Sequence, residues 1–374
     1  MTSSLERLLS LTFGKEGNES NYLGNGWSGD EPGGRWMVGQ GSELWLDYPG
    51  PGHDLILELD LNVMTAPAAQ AAQRLVVGVR NKAIAQIGVS RPSTIGFHIP
   101  SGFVQTPGPV RIVFLHPDFR RPVDIGAGTD DRQLSFAVRS LRLFRMLPRP
   151  PASPGPDLPP DELVARFESL GDNCEFGLVQ RKLGAEPLGL LRFTFLELRD
   201  LVRGLRCGFE GLGDAGATEV TVSGKDQEYV IRDTSFRMTF HTWQSQNETD
   251  IETIRRQYDT RVGFLRRKLL EDVTNAEKIF VIKRSPPLRP EELLPLYVAL
   301  NELGQNRLLW VVLADEQHPA GTVEPLLPGL MRGYVDRFAP YDNAPDLSFA
   351  AWLAVCESAW RLAGSLAAAA PSRV

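Results

Sequence analysis

Residues 147–162, LPRPPASPGPDLPPDE, carry seven prolines in sixteen positions. Proline fixes φ and removes the amide donor, so neither a helix nor an inner strand can run through this stretch. It reads as an extended, semi-rigid linker. The chain, at 374 residues too long for one ordinary core, is expected to divide there. The organisation expected is residues 1–147, a linker over 148–160, and residues 161–374.

The two sides differ in period. Ahead of the prolines, SELWLDY, DLILELDLNV, RLVVGVRN, STIGFHI, VRIVFLH and LSFAVRSLRLFRM alternate or are β-branched, with Gly, Pro, Asn and Asp clusters between them. Short strands at this spacing predict an all-β sandwich. VRNKAIAQI reads as a hairpin turning at Asn81-Lys82. Behind the prolines the pattern mixes. EFGLVQRKL places Phe176, Val179 and Leu183 on one helical stripe, and LLRFTFLELRDLVRGL reads as more helix. EYVIRDTSFRMTFHTW reads as a strand pair ending at His241, and DIETIRRQYDTRVGFLRRKLLEDV as a long charged amphipathic helix. KIFVIKR, RPEELLPLYVALNELG and RLLWVVLA follow as strand, helix and strand, a parallel βαβ unit buried on both faces. The fold class expected is multidomain: an N-terminal all-β sandwich and a C-terminal α/β domain with a parallel sheet.

GNGWSGDEPGGRWMVGQGSELWL (24–46) and DIGAGTDDRQLSFAVRSLRLF (124–144) resemble the jelly-roll modules attached to bacterial glycosyltransferases and surface-polysaccharide proteins. Their pattern is G-W-S-x-x-E, a second Trp, a Gly and a closing D-x-R-x-L strand. The resemblance implies a galactose-binding-like jelly roll and, by analogy, carbohydrate binding. Trp27, Glu31 and Trp36 then have two readings. The rings and carboxylate stack on a sugar and accept its hydroxyls, or they close the sandwich edge and pin a turn. Asp131 and Arg132 read as a structural turn pair.

SLGDNCEFG (169–177) carries the candidate chemistry. Gly171 permits a tight turn, Asp172 or Asn173 can cap the next helix, and Cys174 falls in its first turn, where the helix dipole favours a thiolate. Asp172 and Glu175 oppose that, so a nucleophilic Cys174 needs an imidazole. His241 is the base available, expected at about 4 Å, near hydrogen-bond reach; His318 reads as solvated. Asp315, after an apolar strand, or Asp336 could orient the ring. Asn173 could help hold an oxyanion. Gln180, Arg181 and Arg192 are candidates for binding an anionic substrate. Cys207 and Cys356 read as small core residues.

The block SLGDNCEFGLVQRKLGAEP…LLRF, a His about 65 residues on and the later IFVIKR resemble a family described as papain-like cysteine peptidases of unknown function. The resemblance spans most of residues 167–315 and implies Cys174 as nucleophile and His241 as general base. The C-G-S-C-W context of true papain relatives is missing. The leading expectation is therefore a thiol-dependent acyl hydrolase or transferase in surface-polysaccharide or glycoconjugate metabolism, with a glycan or glycoconjugate as substrate. The alternatives are a non-catalytic glycan-binding or assembly protein and a glycosyltransferase-like enzyme.

Other classes are set aside by what is missing. GxxxxGK[ST], GxGxxG after a strand, HExxH, GxSxG and DxD do not occur, and no metal or cofactor is expected. Net charge is −6 with no dense basic block, so no nucleic-acid partner is expected. No apolar run approaches the roughly 20 residues of a membrane span. The opening MTSSLERLLSLTFGKEGNES has no cleavage site of a signal peptide. Three cysteines without a CxxC pair suit a reducing cytoplasm.

Overall fold

The alternation in SELWLDY is realised in the backbone. Ser42, Leu44, Leu46 and Tyr48 are buried while Trp45 and Asp47 are exposed, the pattern of a strand with one face on a core. The computed structural model describes residues 3–48, 50, 52–65, 71–149, 156–214, 216–224, 227–340 and 343–363. Their contacts group into two units: Leu5–Leu147 with Arg289–Val298, and Met1–Ser4 with Pro148–Leu288 and Ala299–Val374. Residues 150–155 of the proline-rich segment lie outside the described residues.

Among the described residues the first unit has nine strands: β1 (Leu5–Thr12), β2 (Arg35–Val38), β3 (Gly41–Tyr48), β4 (Leu55–Val63), β5 (Gln73–Val79), β6 (Lys82–Val89), β7 (Ser93–Ile99), β8 (Gly108–Leu115) and β9 (Leu134–Met146). They form two antiparallel sheets, one in the order β1-β9-β4-β7 with β2 also on β9, the other β3-β8-β5-β6. Leu44, Leu57, Val77, Phe97, Phe114 and Phe136, from both sheets, share one core, so the region is an antiparallel sandwich. His116, just past β8, joins the sheets. Its Nε2 lies 2.9 Å from Ser42 Oγ and its Nδ1 3.0 Å from Ser135 Oγ. Burial pushes its pKa down to about 4, so the ring is neutral near pH 7. The β5–β6 hairpin turns on Arg80-Asn81, not Asn81-Lys82. Both have positive φ, 48° and 66°, as a two-residue loop matched to strand twist requires.

The second unit opens with α1 (Pro160–Ala165), β10 (Phe167–Ser169), α2 (Glu175–Lys182), β11 (Thr194–Phe195), α3 (Leu198–Arg206), β12 (Thr218–Val222), β13 (Glu228–Asp233) and β14 (Met238–Ser245). It continues through α4 (Ile251–Asn275), β15 (Ile279–Lys283), α5 (Pro290–Leu303, within which the division between units falls), β16 (Arg307–Leu313), β17 (Val323–Leu327), β18 (Leu330–Val335) and α6 (Phe349–Ala363). The principal sheet runs β10-β15-β16-β18-β17. Its first four strands are parallel and β17 pairs antiparallel with β18, so the sheet is mixed, not purely parallel. All five residues of β15 are buried, as a strand covered on both faces demands.

A second, antiparallel sheet of order β11-β14-β13-β12 stands beside it in sequence. The stretch read as continuous helix from 190 to 205 is broken there: Thr194 and Phe195, a β-branched and an aromatic residue, pair with Phe240 and Thr239 of β14. Asp250 caps α4 by accepting the Thr253 N–H at 2.9 Å. No helix among the described residues is long and apolar enough to cross a membrane.

Candidate functional site

In the sandwich, Trp27, Glu31 and Trp36 have their polar groups engaged internally. Trp27 Nε1 donates to the Glu43 carbonyl at 2.7 Å, and its ring packs on Phe13 and, edge-on, on Phe114. Trp36 Nε1 donates to Glu31 at 3.1 Å, and Arg132 donates to the other Glu31 oxygen at 2.7 Å. Arg132 also pairs with Asp130, which replaces Asp131 as its turn partner. Paired with two acids, its guanidinium is held more basic than usual. These side chains form a brace between the loop at 27–36 and the start of β9.

The outward face of the β3-β8-β5-β6 sheet carries an aromatic and charged cluster outside the residues expected from the sequence. Trp45 sits mid-strand, 44% exposed, directly opposite Arg111 of β8. Arg111 is ion-paired with Glu43 on the same face and donates to Asn81 Oδ1 at 3.0 Å. The guanidinium holds the Glu43 carboxyl below its usual range. The signal lay in the period-two pattern: with Leu44 and Leu46 inward, Trp45 must point outward.

Cys174 precedes α2, but its setting differs from the one expected. The residue is buried, 7% exposed. Burial, with the Glu228 carboxylate adding to it, pushes the thiol up to about 12, against a smaller opposing pull from Arg181. Cys174 is therefore a neutral thiol near pH 7. The Asn173 side chain accepts the Glu175 N–H at 3.0 Å, a local turn bond that leaves the side chain engaged. His241 lies in the middle of β14, exposed, not at a strand end. Its Nδ1 faces Glu228 Oε2 at 3.2 Å, and no hydrogen bond joins it to Cys174. The imidazole's hydrogen-bond partner is thus a carboxylate, and that same Glu228 also acts on the Cys174 thiol.

The acids flanking Cys174 are tied down as well. Asp172, at φ 86°, pairs with Arg284 at 3.2 Å and Lys283 at 3.5 Å; Glu175 pairs with Lys283 at 2.9 Å. Trp352 of α6 donates its indole N–H to Glu175 at 2.8 Å. All four charged side chains are buried. The LGDNCE loop and the IKR end of β15 thus form one closed ionic knot at the carboxyl ends of adjacent parallel strands.

The remaining candidates scatter. Gln180 is buried, its amide donating to the Val164 and Phe167 carbonyls at 3.0 Å each, so it is a strut of the fold and not a substrate contact. Arg192, also buried, donates to the Gly177 and Ala185 carbonyls and pairs with Glu186. This corrects its assignment to an anionic substrate, since its donors close the 185–192 loop. Asp315 accepts from the His318 ring at 2.8 Å and from the Gln317 and His318 N–H groups, capping a surface turn; it does not orient His241. Asp336 accepts the Ser348 hydroxyl. Cys356 is buried, whereas Cys207, expected in the core, is exposed. Arg181 remains at the surface, its guanidinium 4.8 Å from the Phe193 ring and 5.6 Å from that of Trp243. Among the described residues no three His, Cys, Asp or Glu side chains gather as metal ligands.

No family model matches the chain, and no curated protein does; the resemblance to papain-like cysteine peptidases gains no support. Among solved structures, the N-terminal region is similar to jelly-roll carbohydrate-binding modules. One is the C-terminal CBM6 of LamC, a laminarinase from Zobellia galactanivorans, at 12% identity over 36% of this chain and 97% of that one, TM-score 0.23. Another is CBM36 in complex with calcium and xylotriose, at 7% identity over 36% and 99%, TM-score 0.23. A third is the xylan-binding module CBM15, at 12% identity over 39% and 97%, TM-score 0.24. Likenesses at this level do not define a ligand.

Proposed function

We propose that the protein binds glycans without transforming them, and that the outer face of the β3-β8-β5-β6 sheet is where the sandwich takes a saccharide. Trp45 carries the reading. A large aromatic ring exposed in the middle of a strand offers a flat apolar surface for the C–H face of a sugar ring. Beside it, Arg111, Glu43 and Asn81 are cross-linked by their own hydrogen bonds, so they meet sugar hydroxyls without first being ordered. Acyl chemistry at Cys174 has no such support, because a buried neutral thiol with no hydrogen bond to an imidazole is a poor nucleophile. The proline-rich 148–160 is proposed as the linker between 1–147 and 161–374. Three unpaired cysteines, one of them exposed, favour a reducing compartment such as the cytoplasm.

The test is binding of the full chain to neutral hexasaccharides of β-1,4-xylose, β-1,4-glucose and β-1,3-glucose by affinity electrophoresis. Retardation by at least one of them, abolished in Trp45→Ala with an unchanged melting curve, is the expected result. Retardation undiminished in Trp45→Ala, or none with any of the three, removes the reading.

A further inference from the structure

Strand β14 contains a second exposed tryptophan, in an unusual backbone setting. Its pairing with β13 is irregular: Val230 faces His241 but Glu228 faces Ser245, so residues 242–244 stand opposite Tyr229 alone. Such a bulge re-aims side chains. Trp243, within it, has φ +58° and is 47% exposed; for a bulky residue that φ is an outlier. The conformation is fixed from several sides. Glu228 accepts the Trp243 N–H at 2.7 Å and faces the His241 ring with its other oxygen. Thr242 donates its hydroxyl to the Tyr229 carbonyl at 2.6 Å. A strained, over-determined and exposed aromatic points to a use outside the core.

The surroundings say what that use is. Phe193 stands edge-on to the indole with centroids 5.9 Å apart, and the His241 ring is 6.0 Å away. Arg181 lies against both Phe193 and Trp243. Among the described residues only its Nε is engaged, donating to Glu186 at 2.7 Å, and neither terminal nitrogen has a hydrogen-bond acceptor. A planar fork of free N–H donors beside an aromatic face matches a carboxylate held next to a sugar ring. With Nδ1 turned to Glu228, His241 leaves Nε2 without a partner among the described residues and open to a sugar hydroxyl.

We propose that Trp243, Phe193, Arg181 and His241 form a binding site for a saccharide unit bearing a carboxylate, a uronic acid, separate from the Trp45 face. The proposal extends the glycan reading to other residues, so the two can fail independently. The test is calorimetric titration of the full chain with a glucuronate-containing hyaluronan tetrasaccharide, its carboxyl-reduced counterpart and inorganic phosphate.

Expected are binding of the acidic tetrasaccharide, at least tenfold weaker binding of the reduced form, and a tenfold or greater loss in Trp243→Ala and in Arg181→Gln. If Trp243→Ala melts early, Arg181→Gln, whose side chain is at the surface, carries the test. The proposal is overturned if the tetrasaccharide does not bind, if the reduced form binds equally, or if Arg181→Gln binds as tightly as wild type. It is also overturned if Trp45→Ala alone loses binding, which would move the acidic glycan to the sandwich, or if inorganic phosphate displaces the sugar at equal concentration, which would make this a phosphate site.

Discussion

Lys283 Nζ lies 2.9 Å from Glu175 Oε2, with both side chains almost fully buried, where the loop after β10 meets the end of β15. Asp172 and Arg284 close the knot. Removing one partner of a buried pair leaves the other charge uncompensated, which costs about 3–5 kcal/mol. Lys283→Met should therefore lower the urea midpoint strongly, because it strips both Glu175 and Asp172 of a counter-charge. The double variant Lys283→Met/Glu175→Leu should recover much of the loss. A single variant as stable as wild type would show that the pair is not closed.

The setting of the three thiols orders their reactivity. Burial pushes the Cys174 thiol up to about 12 and holds Cys356 higher still, while Cys207 is exposed. Iodoacetamide at pH 8 should label Cys207 first, and Cys174 and Cys356 only on unfolding. Peptide mapping that finds Cys174 labelled fastest would restore a reactive-cysteine reading.

His116 makes the fold sensitive to acid. Its folded pKa of about 4 lies below the ordinary imidazole value of 6.5, so between those values the unfolded chain binds more protons than the folded one. Stability is therefore full above about pH 6.5 and declines as pH falls toward 4, by up to about 3 kcal/mol from this group. Melting temperature followed from pH 7 to 4 should fall in that window, and His116→Gln should flatten the fall. An equally steep decline in the variant would assign the acid sensitivity elsewhere.

The indole N–H of Trp27 is committed to the Glu43 carbonyl and its ring to Phe13 and Phe114. Trp27→Ala should lose about 3–5 kcal/mol of stability as a truncated, largely packed aromatic. Denaturant unfolding of Trp27→Ala beside Trp45→Ala should show a large loss in the first and little in the second.

The sequence exposes period more readily than partnership. Alternation announced β3 and β8, and continuous apolar runs announced β15 and β16, because burial of one face or two leaves a direct imprint. The small sheet around β14 was half hidden. Its edge strand β11 is only Thr194–Phe195, too short to carry a period, and its bulge at 242–244 is held by groups of the neighbouring strand, the Glu228 carboxylate and the Tyr229 carbonyl. Lone polar residues were hardest. Cys174 at a helix start has the same local sequence whether an imidazole or a wall of side chains stands over it, and Gln180 looks surface-like until the Val164 and Phe167 carbonyls fold toward it. Trp45 is readable, since its strand neighbours fix its side; Trp27 and Trp36 are ambiguous in sequence, because aromatics near a carboxylate resemble a sugar site equally well when they are a brace.

Glycan binding through the Trp45 face is tested most directly by calorimetric titration of wild type, Trp45→Phe and Trp45→Ala with whichever neutral hexasaccharide retards the wild-type chain. Stacking on an aromatic ring predicts that Trp45→Phe retains weakened binding and that Trp45→Ala shows none, at unchanged melting temperature. Equal affinity in all three proteins would contradict the account.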